Sequence, residues 1–177
     1  PLFQFTNTYI TAPTSYVRDK DNIITKMTYP YGNSETMTYD LGRLLNKNIN
    51  NNKIVIKRTY EDAGTENTTG LLKNYKVKVN SADKLNYSYK YDVNGNISEF
   101  YTGSSLAKTY TYNKINQLVK ETIGTKSIEY VNDAGGNISY IYDKENNVLK
   151  NTKRYVYNSG WKDQLRSITS TDANGAV

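Results

Sequence analysis

The side chains of this sequence that are able to do chemistry are mainly carboxylates, because the chain contains no histidine and no cysteine. Asp40, Asp92, Asp133 and Asp143 would suit the carboxylate pairs that hydrolyse glycosidic bonds. All four, however, fall in polar clusters predicted to be turns, where aspartate is favoured because it accepts hydrogen bonds from nearby backbone. A residue that recurs with each repeat is explained by folding, because a protein normally has only one active site. We therefore predict no catalytic residue and a protein that is not an enzyme.

The sequence also offers few side chains that could bind a metal or a cofactor. Without histidine and cysteine there are no imidazole or thiolate ligands and no cysteine nucleophile. Asp92–Asn96 looks like the start of a calcium loop, because oxygen-bearing side chains alternate around Gly95. The glutamate expected about twelve positions after the first aspartate is missing, since position 103 is glycine. The same residues fit a hairpin turn, so we predict no metal and no cofactor.

Charge and hydropathy limit the partners. The net charge is +6, but the lysines are scattered singly and form no arginine-rich stripe, so no specific nucleic-acid partner is predicted. Lysines do alternate with tyrosines at Tyr87–Tyr91, a pattern that also suits single strands or acidic polysaccharides. Lysine equally protects exposed sheet edges from mispairing. No apolar run approaches the roughly 20 residues that cross a bilayer, so no membrane span is predicted.

Tyrosine is the unusual excess, with 18 residues against one tryptophan and three phenylalanines. Several tyrosine runs alternate with smaller or polar residues, and on a strand this period of two puts the rings on one face. A ladder of such rings would hold together a sheet that has little aliphatic core. We predict that one tyrosine face is built from Tyr89, Tyr91, Tyr110, Tyr112, Tyr140, Tyr142, Tyr155 and Tyr157.

Internal repeats organise the chain. Gly-Asn-Ile-Ser occurs at Gly95–Ser98 and again at Gly136–Ser139. Tyr-x-Tyr-Asn followed by Gln-Leu occurs from Tyr110 and again from Tyr155, and the second copy has a turn two residues longer that contains Trp161. Short polar clusters between these runs predict hairpin turns: Asp92–Asn96, Gly103–Ser105, Asn113–Asn116, Gly124–Thr125, Asn132–Gly136 and Asp143–Asn147.

Strands joined by such turns predict an all-β fold: an extended, twisted antiparallel sheet of tandem β-hairpins with open edges and no helix. Residues 1–28 are interpreted as a divergent repeat or lead-in strands. Residues 29–177 are interpreted as the hairpin array, which we expect to end within a repeat because Asp-x-Asn-Gly recurs at Asp172–Gly175. Glu61–Gly70 is predicted to be a longer polar loop.

Four motifs in one order carry a resemblance to a known family: Tyr29–Asn33, Tyr39–Leu44, Tyr91–Ile97, and Tyr110–Asn113 with Gln117-Leu118. They resemble the YD repeats of Rhs proteins, which occur in bacterial Rhs and wall-associated polymorphic toxins, in the C component of insecticidal toxin complexes and in teneurins. The resemblance implies a strip of hairpins that spirals into a hollow shell, which in toxins encloses a carboxy-terminal cargo domain. Toxin members also end the shell with a region that often cleaves itself by aspartyl chemistry, and nothing here resembles that region.

The implied partners are neighbouring repeats and a cargo domain of the same parent chain, in an extracellular, secreted or cell-wall-associated protein. The alternative is a carbohydrate-binding adhesion module that stacks cell-surface glycans on the tyrosine face. In either case the repeat positions are expected to be structural. They are Tyr39, Asp40, Gly42, Tyr89, Tyr91, Asp92, Gly95, Asn96, Tyr110, Tyr112, Gly136, Asn137, Tyr140, Tyr142, Tyr155 and Tyr157.

Overall fold

The computed structural model describes residues 13–62 and 68–175, with the side chains of residues 68 and 69 left aside. In this part of the chain fourteen strands form one open antiparallel sheet, in which the order of strands equals their order in the sequence. Each strand pairs with the one before it and the one after it, as expected when every connection is a hairpin. The predicted all-β sheet of consecutive hairpins is confirmed.

The strands are four to twelve residues long, and one 3₁₀ turn at Pro30–Gly32 is the only helical element in the described residues. The strands are β1 (Ser15–Arg18), β2 (Ile24–Thr28), β3 (Ser34–Asp40), β4 (Arg43–Ile49), β5 (Ile54–Asp62), β6 (Thr68–Val79), β7 (Ala82–Tyr91), β8 (Ile97–Thr102), β9 (Ser105–Tyr112), β10 (Leu118–Ile123), β11 (Lys126–Asn132), β12 (Ile138–Glu145), β13 (Val148–Tyr157) and β14 (Leu165–Asp172).

The chain divides into two compact units, residues 1–88 and residues 89–177. The interpretation of residues 1–28 as a divergent repeat or lead-in strands stays a prediction, and the first twelve of them lie outside the described residues. The predicted loop at Glu61–Gly70 is too long, because β5 continues to Asp62 and β6 begins at Thr68. Residues 63–67 lie outside the described part of the chain. Cross-strand pairing therefore extends the strands through residues whose local polarity indicated a loop.

One side of the first unit carries a patch of aliphatic side chains next to the ion pair of Lys47 with Glu35. Ile49 lies opposite Ile54 on the neighbouring strand, and Ile54 lies opposite Val79 on the next. Two residues further along β5, Ile56 lies opposite Val77. Because side chains that face each other across strands share one side of a sheet, these five aliphatic side chains form a continuous apolar patch.

The other side of the first unit is polar. Asn46 lies opposite Thr38 and Lys57, and Lys57 lies opposite Lys76. Asn46 Nδ2 donates to Thr38 Oγ1 at 2.9 Å, so polar side chains also pair across the strands. The alternation of apolar and polar residues along each strand thus produces two chemically different sides.

No apolar side chain among the described residues is fully buried, and Ser127, at 7% relative exposure, is the only buried residue. A sheet with no second layer leaves every side chain partly open to solvent, which explains this pattern. The sheet is therefore held by backbone ladders, cross-strand side-chain pairs and turns, and much less by an enclosed core.

Candidate functional site

The repeated turns are the most regular feature of the second unit. In the turn between β7 and β8, Asp92 Oδ1 accepts hydrogen bonds from the backbone N–H groups of Asn94 and Asn96, both at 2.9 Å. The Asp92 N–H donates to the Asn96 carbonyl at 2.9 Å, and Gly95 adopts a φ of +83° that favours glycine. The hairpin turn predicted at these residues is confirmed, with the carboxylate committed to the backbone of its own turn.

The same geometry recurs in later turns. Asp133 Oδ1 accepts the N–H of Asn137 at 2.9 Å, and Asn113 Oδ1 accepts the N–H of Gln117 at 2.9 Å. An asparagine performs the role as well as an aspartate, so the turn requires a side-chain oxygen and no negative charge. These hydrogen bonds fix the backbone of the turn.

Hydrogen bonding holds the turn carboxylates in their ionised form. The side-chain amide of Asn96, together with backbone N–H groups, lowers the pKa of Asp92 below its ordinary value. The backbone N–H of Asn137 is the largest cause of the lowered pKa of Asp133. Both groups are acceptors at neutral pH and are poorly suited to deliver a proton.

Asp143 differs from Asp92 and Asp133, as does Asp40, which is the last residue of β3. Asp143 lies within β12, opposite Ile128 and Asn151, and the turn that follows consists of Asn146 and Asn147. The prediction of a turn beginning at Asp143 is wrong, because cross-strand pairing continues β12 to residue 145. The structure therefore does not assemble the four aspartates into one repeated position.

Successive turns on one edge of the second unit are joined by side chains. Asn96 Nδ2 donates to Asn116 Oδ1 at 2.9 Å, and Asn137 Nδ2 donates to Asp163 Oδ1 at 3.1 Å. Between these two links, the position that a Cβ atom would take at Gly136 lies 3.1 Å from Gln117 Nε2. We call the four turns at residues 92–96, 113–117, 133–137 and 158–164 the turn ladder.

The sequence predicted Asn96, Gly136 and Asn137 as turn positions but did not identify Asn116 and Asp163 as their partners. Those two residues lie at different offsets within their own turns, so the repeat gives no signal for them. Only the lateral spacing of every second hairpin end brings them into contact.

A β-bulge follows each of three ladder turns. Val119, Ser139 and Arg166 are the extra residues, each immediately after the first paired residue of the outgoing strand. A bulge shifts the pairing by one residue and so determines which side chains share a face afterwards. The register of each hairpin is therefore set jointly by its turn and its bulge.

Most of the predicted tyrosines in the second unit share one side. Tyr110 lies opposite Glu121, and Glu121 lies opposite Ile128, so Tyr130, two residues after Ile128, is on the same side as Tyr110. Tyr112 follows Tyr110 by two residues and shares its side. By the same alternation Tyr155 and Tyr157 lie on this side, because Lys153 lies opposite Ile141 and Ile141 lies opposite Tyr130.

Tyr89 and Tyr91 join this group. The Tyr89 ring lies 5.5 Å from the ring of Phe100, and Phe100 lies opposite Lys108, which precedes Tyr110 by two residues. We call this side of the second unit the tyrosine face.

Tyr140 and Tyr142 lie on the opposite side. Both flank Ile141, which lies opposite Tyr130 on the tyrosine face. The prediction of a single tyrosine face is therefore wrong for these two residues. The reason is the register of β11 with β12, which places Ile141 and not a tyrosine across from Tyr130.

The two displaced tyrosines make their own pair. Their rings are parallel within 1° at a centroid distance of 5.9 Å. Tyr142 lies opposite Glu129, whose carboxylate binds Lys144 at 2.5 Å and Lys120 at 3.2 Å. This side of the second unit thus combines an aromatic stack with a row of ion pairs, and Lys144 lowers the pKa of Glu129.

Tyr39, Asp40 and Gly42 occupy a hairpin of the first unit. Tyr39 lies opposite Leu44, and Asp40 Oδ2 accepts from Arg43 Nη2 at 2.7 Å. Gly42 has a φ of +77°, which explains the glycine in this turn.

The sequence did not identify the arginine–tyrosine contacts of this unit. The Arg58 guanidinium lies 5.2 Å from the centre of the Tyr75 ring, directly across the strands, and its Nη1 atom is buried without a hydrogen-bond partner. Arg43 lies 4.9 Å from the ring of Tyr60. Such contacts let a charged group lie on an apolar side of a sheet.

Within residues 13–62 and 68–175 no group of three or more histidine, cysteine, aspartate or glutamate side chains is arranged to hold a metal ion. No helix in that part of the chain has the length and hydropathy needed to cross a membrane.

Comparison with known proteins identifies the fold. No protein-family model matches the chain, and no curated protein matches it in sequence. Several solved structures do match. The crystal structure of TcdB2-TccC3-Cdc42 matches with a TM-score of 0.53 at 16% identity over 83% of this chain. The crystal structure of TcdB2-TccC3-TEV matches with a TM-score of 0.53 at 15% identity over 92% of this chain.

A Photorhabdus luminescens Tc holotoxin pore carrying a TccC3 mutation matches with a TM-score of 0.51 at 15% identity over 82% of this chain. In each case the match covers 10% of the other chain, so this chain spans about a tenth of the length of the chains it matches. The fold is thus an open hairpin sheet of the kind found within the chains of Tc toxin complexes.

Proposed function

We propose that this chain is a non-catalytic structural segment of an Rhs-type β-shell that encloses or displays a neighbouring domain of the same parent protein. The observation that carries the proposal is the apolar patch of the first unit on a sheet without a second layer. Ile49, Ile54, Ile56, Val77 and Val79 share one side, and none of them is fully buried. All five are half-buried, and a contiguous apolar surface on one side of a sheet is suited to contact another chain or domain.

The turn ladder supports the same role. A wall that contains another domain must resist lateral separation of its strands, and no enclosed core of the described residues contributes to that resistance. Links such as Asn96–Asn116 connect hairpins beyond the backbone ladder itself. Similarity of fold to chains of Tc toxin complexes supports a shell more than an enzyme, and an exported parent protein follows from the proposal.

A site-specific photo-crosslinker in the parent protein would test the proposal. Ile56 and Lys57 are consecutive residues of β5 on opposite sides of the sheet, so they form a matched pair. We expect a benzophenone side chain at Ile56 to crosslink to a separate domain of the parent chain, and one at Lys57 to crosslink to nothing in that domain. Equal crosslinking from both positions, or none from Ile56, would refute enclosure or display by this side.

The non-catalytic part of the proposal has its own test. The turn aspartates are engaged by backbone N–H groups, as at Asp92 and Asp133, and this supports a folding role. We expect the purified chain to hydrolyse no polysaccharide. Hydrolysis that Asp92→Asn or Asp133→Asn abolished would overturn the assignment of these residues as structural.

A further inference from the structure

The turn at Asn158–Gln164 departs from the other turns of the ladder. It closes with the Asn158 N–H donating to the Gln164 carbonyl at 2.9 Å, whereas the corresponding bond at Asn113 reaches Gln117, two residues fewer along the chain. The insertion contains Trp161, the only tryptophan of the protein, which is 79% exposed. A shorter turn closes a hairpin without a tryptophan, so folding does not explain this residue.

The widened turn is held by specific hydrogen bonds. The Gln164 N–H donates to the Trp161 carbonyl at 2.9 Å, and Asn158 Nδ2 donates to Gln164 Oε1 at 3.2 Å. Asp163 Oδ1 accepts from Asn137 Nδ2 at 3.1 Å, which ties the turn to its neighbour in the ladder. A turn held in this way presents the Trp161 side chain from a fixed backbone, so binding a ligand would cost little further conformational entropy.

A hollow of about 330 Å³ lies at this turn and is lined by Trp161, Lys162, Asp163 and Gln164. The hollow is shallow and open to solvent, so it would contact one face of a ligand and would not enclose it. Gln164 uses its Oε1 atom within the turn, which leaves its amide donors for a ligand. Among the described residues Lys162 forms no ion pair. Beside the indole ring, the Lys162 ammonium and the Gln164 amide can donate hydrogen bonds, and the Asp163 carboxylate can accept them.

The chemistry of the lining selects the class of ligand. Lys162 and Asp163 carry opposite charges, so the lining has no net charge that would favour phosphates or other anions. No second apolar side chain lines the hollow, which disfavours an apolar peptide. A neutral sugar combines an apolar C–H face, which stacks on an aromatic ring, with a rim of hydroxyl groups that bond to amides and carboxylates.

We propose that Trp161, with Asp163 and Gln164, forms a binding site for a neutral oligosaccharide. The site is distinct from the tyrosine face and does not depend on the shell function. The ring provides the stacking surface, and the two polar side chains bond to hydroxyl groups at the rim.

Tryptophan fluorescence reports this site alone, because the chain contains one tryptophan. The purified chain is titrated with cellohexaose, chitohexaose and maltohexaose, with excitation at the red edge where tyrosine does not absorb. We expect at least one of these sugars to shift the Trp161 emission to the blue and to saturate, with half-saturation at about 1 mM for so small a contact.

Saturation-transfer NMR of variants then locates the binding. We expect the sugar signal to be lost in Trp161→Ala and kept in Ile115→Ala, which removes a 72% exposed side chain from a sister turn. Circular dichroism verifies that both variants keep the sheet. Four outcomes would overturn the proposal: no sugar perturbs the emission; binding survives in Trp161→Ala; polyphosphate competes for the site; or the emission is already blue-shifted because the indole is covered by a protein surface.

Discussion

Asn96 Nδ2 donates a hydrogen bond to Asn116 Oδ1 across 2.9 Å and so joins two hairpin turns that are 20 residues apart in the chain. Each of the two turns is closed by backbone hydrogen bonds of its own, so this side-chain bond is an additional link. The bond links the ends of alternate hairpins at one edge of the sheet, where the backbone ladder makes no connection.

Removing this link should destabilise the second unit. Asn116 has a φ of +61°, so Asn116→Gly removes the side chain without introducing backbone strain. We expect the free energy of unfolding in urea to fall by about 0.5–1.5 kcal/mol, the usual net contribution of one hydrogen bond. Asn147 also has a φ of +61° but lies in a turn outside the ladder, so Asn147→Gly is the control. Equal effects of the two changes would contradict a role for the inter-turn bond.

A substitution at Gly136 tests how closely neighbouring turns approach each other. It has a φ of +91°, and a Cβ atom there would lie 3.1 Å from Gln117 Nε2. Gln117 cannot move away without loss of its bond from Asn113 Nδ2 at 2.8 Å. Gly124, with a φ of +56°, has no atom within 4 Å of the same position. We expect Gly124→Ala to cost about 1–2 kcal/mol from backbone strain alone.

Gly136→Ala should then cost about 1 kcal/mol more than Gly124→Ala, because it adds the displacement of Gln117. Urea unfolding of both variants measures the difference. If Gly136→Ala were no more destabilising than Gly124→Ala, the two turns would not be in close contact.

Stability should fall in acid because of the turn carboxylates. Hydrogen bonds lower the folded-state pKa of Asp92 and Asp133, so the unfolded chain binds more protons than the folded chain as the pH decreases. The resulting stabilisation is fully present above the unfolded pKa of about 3.9 and is lost as the pH falls through the lowered folded pKa.

The combined change Asp92→Asn with Asp133→Asn should flatten this dependence, since Asn113 occupies the same position with an uncharged side chain. Urea midpoints at about pH 7 and about pH 3 provide the measurement. An unaltered slope in the double variant would contradict the role of the turn carboxylates.

The parallel rings of Tyr140 and Tyr142 should be energetically coupled. Single and double changes of these residues to leucine form a double-mutant cycle, and we expect a coupling of about 0.5–1.5 kcal/mol. The same cycle at Tyr155 and Tyr157, which share a side but whose rings are not in contact, should give a smaller value. Thermal or urea unfolding supplies the free energies. A larger coupling in the control pair would show that spacing along a strand is sufficient by itself.

Patterns among residues that are close together in the chain account for most of what the sequence alone predicted. Alternation of tyrosine with small or polar residues predicts strands, and Asp-x-x-Gly-Asn predicts turns, because both depend on residues only a few positions apart. The order of the sheet follows directly, since consecutive strands with short turns pair as hairpins. The absence of histidine and cysteine likewise excludes imidazole and thiolate chemistry whatever the fold.

Tertiary structure decided which face each strand presents and which turns touch. Tyr140 and Tyr142 have the same alternation as Tyr110 and Tyr112, yet register places them on the opposite side, and a shift of one residue is sufficient to do so. The bonds of Asn96 to Asn116 and of Asn137 to Asp163 depend on the lateral spacing of alternate hairpins. Sequence patterns describe periodicity within a strand, whereas these contacts arise between strands whose relative register the pattern does not contain.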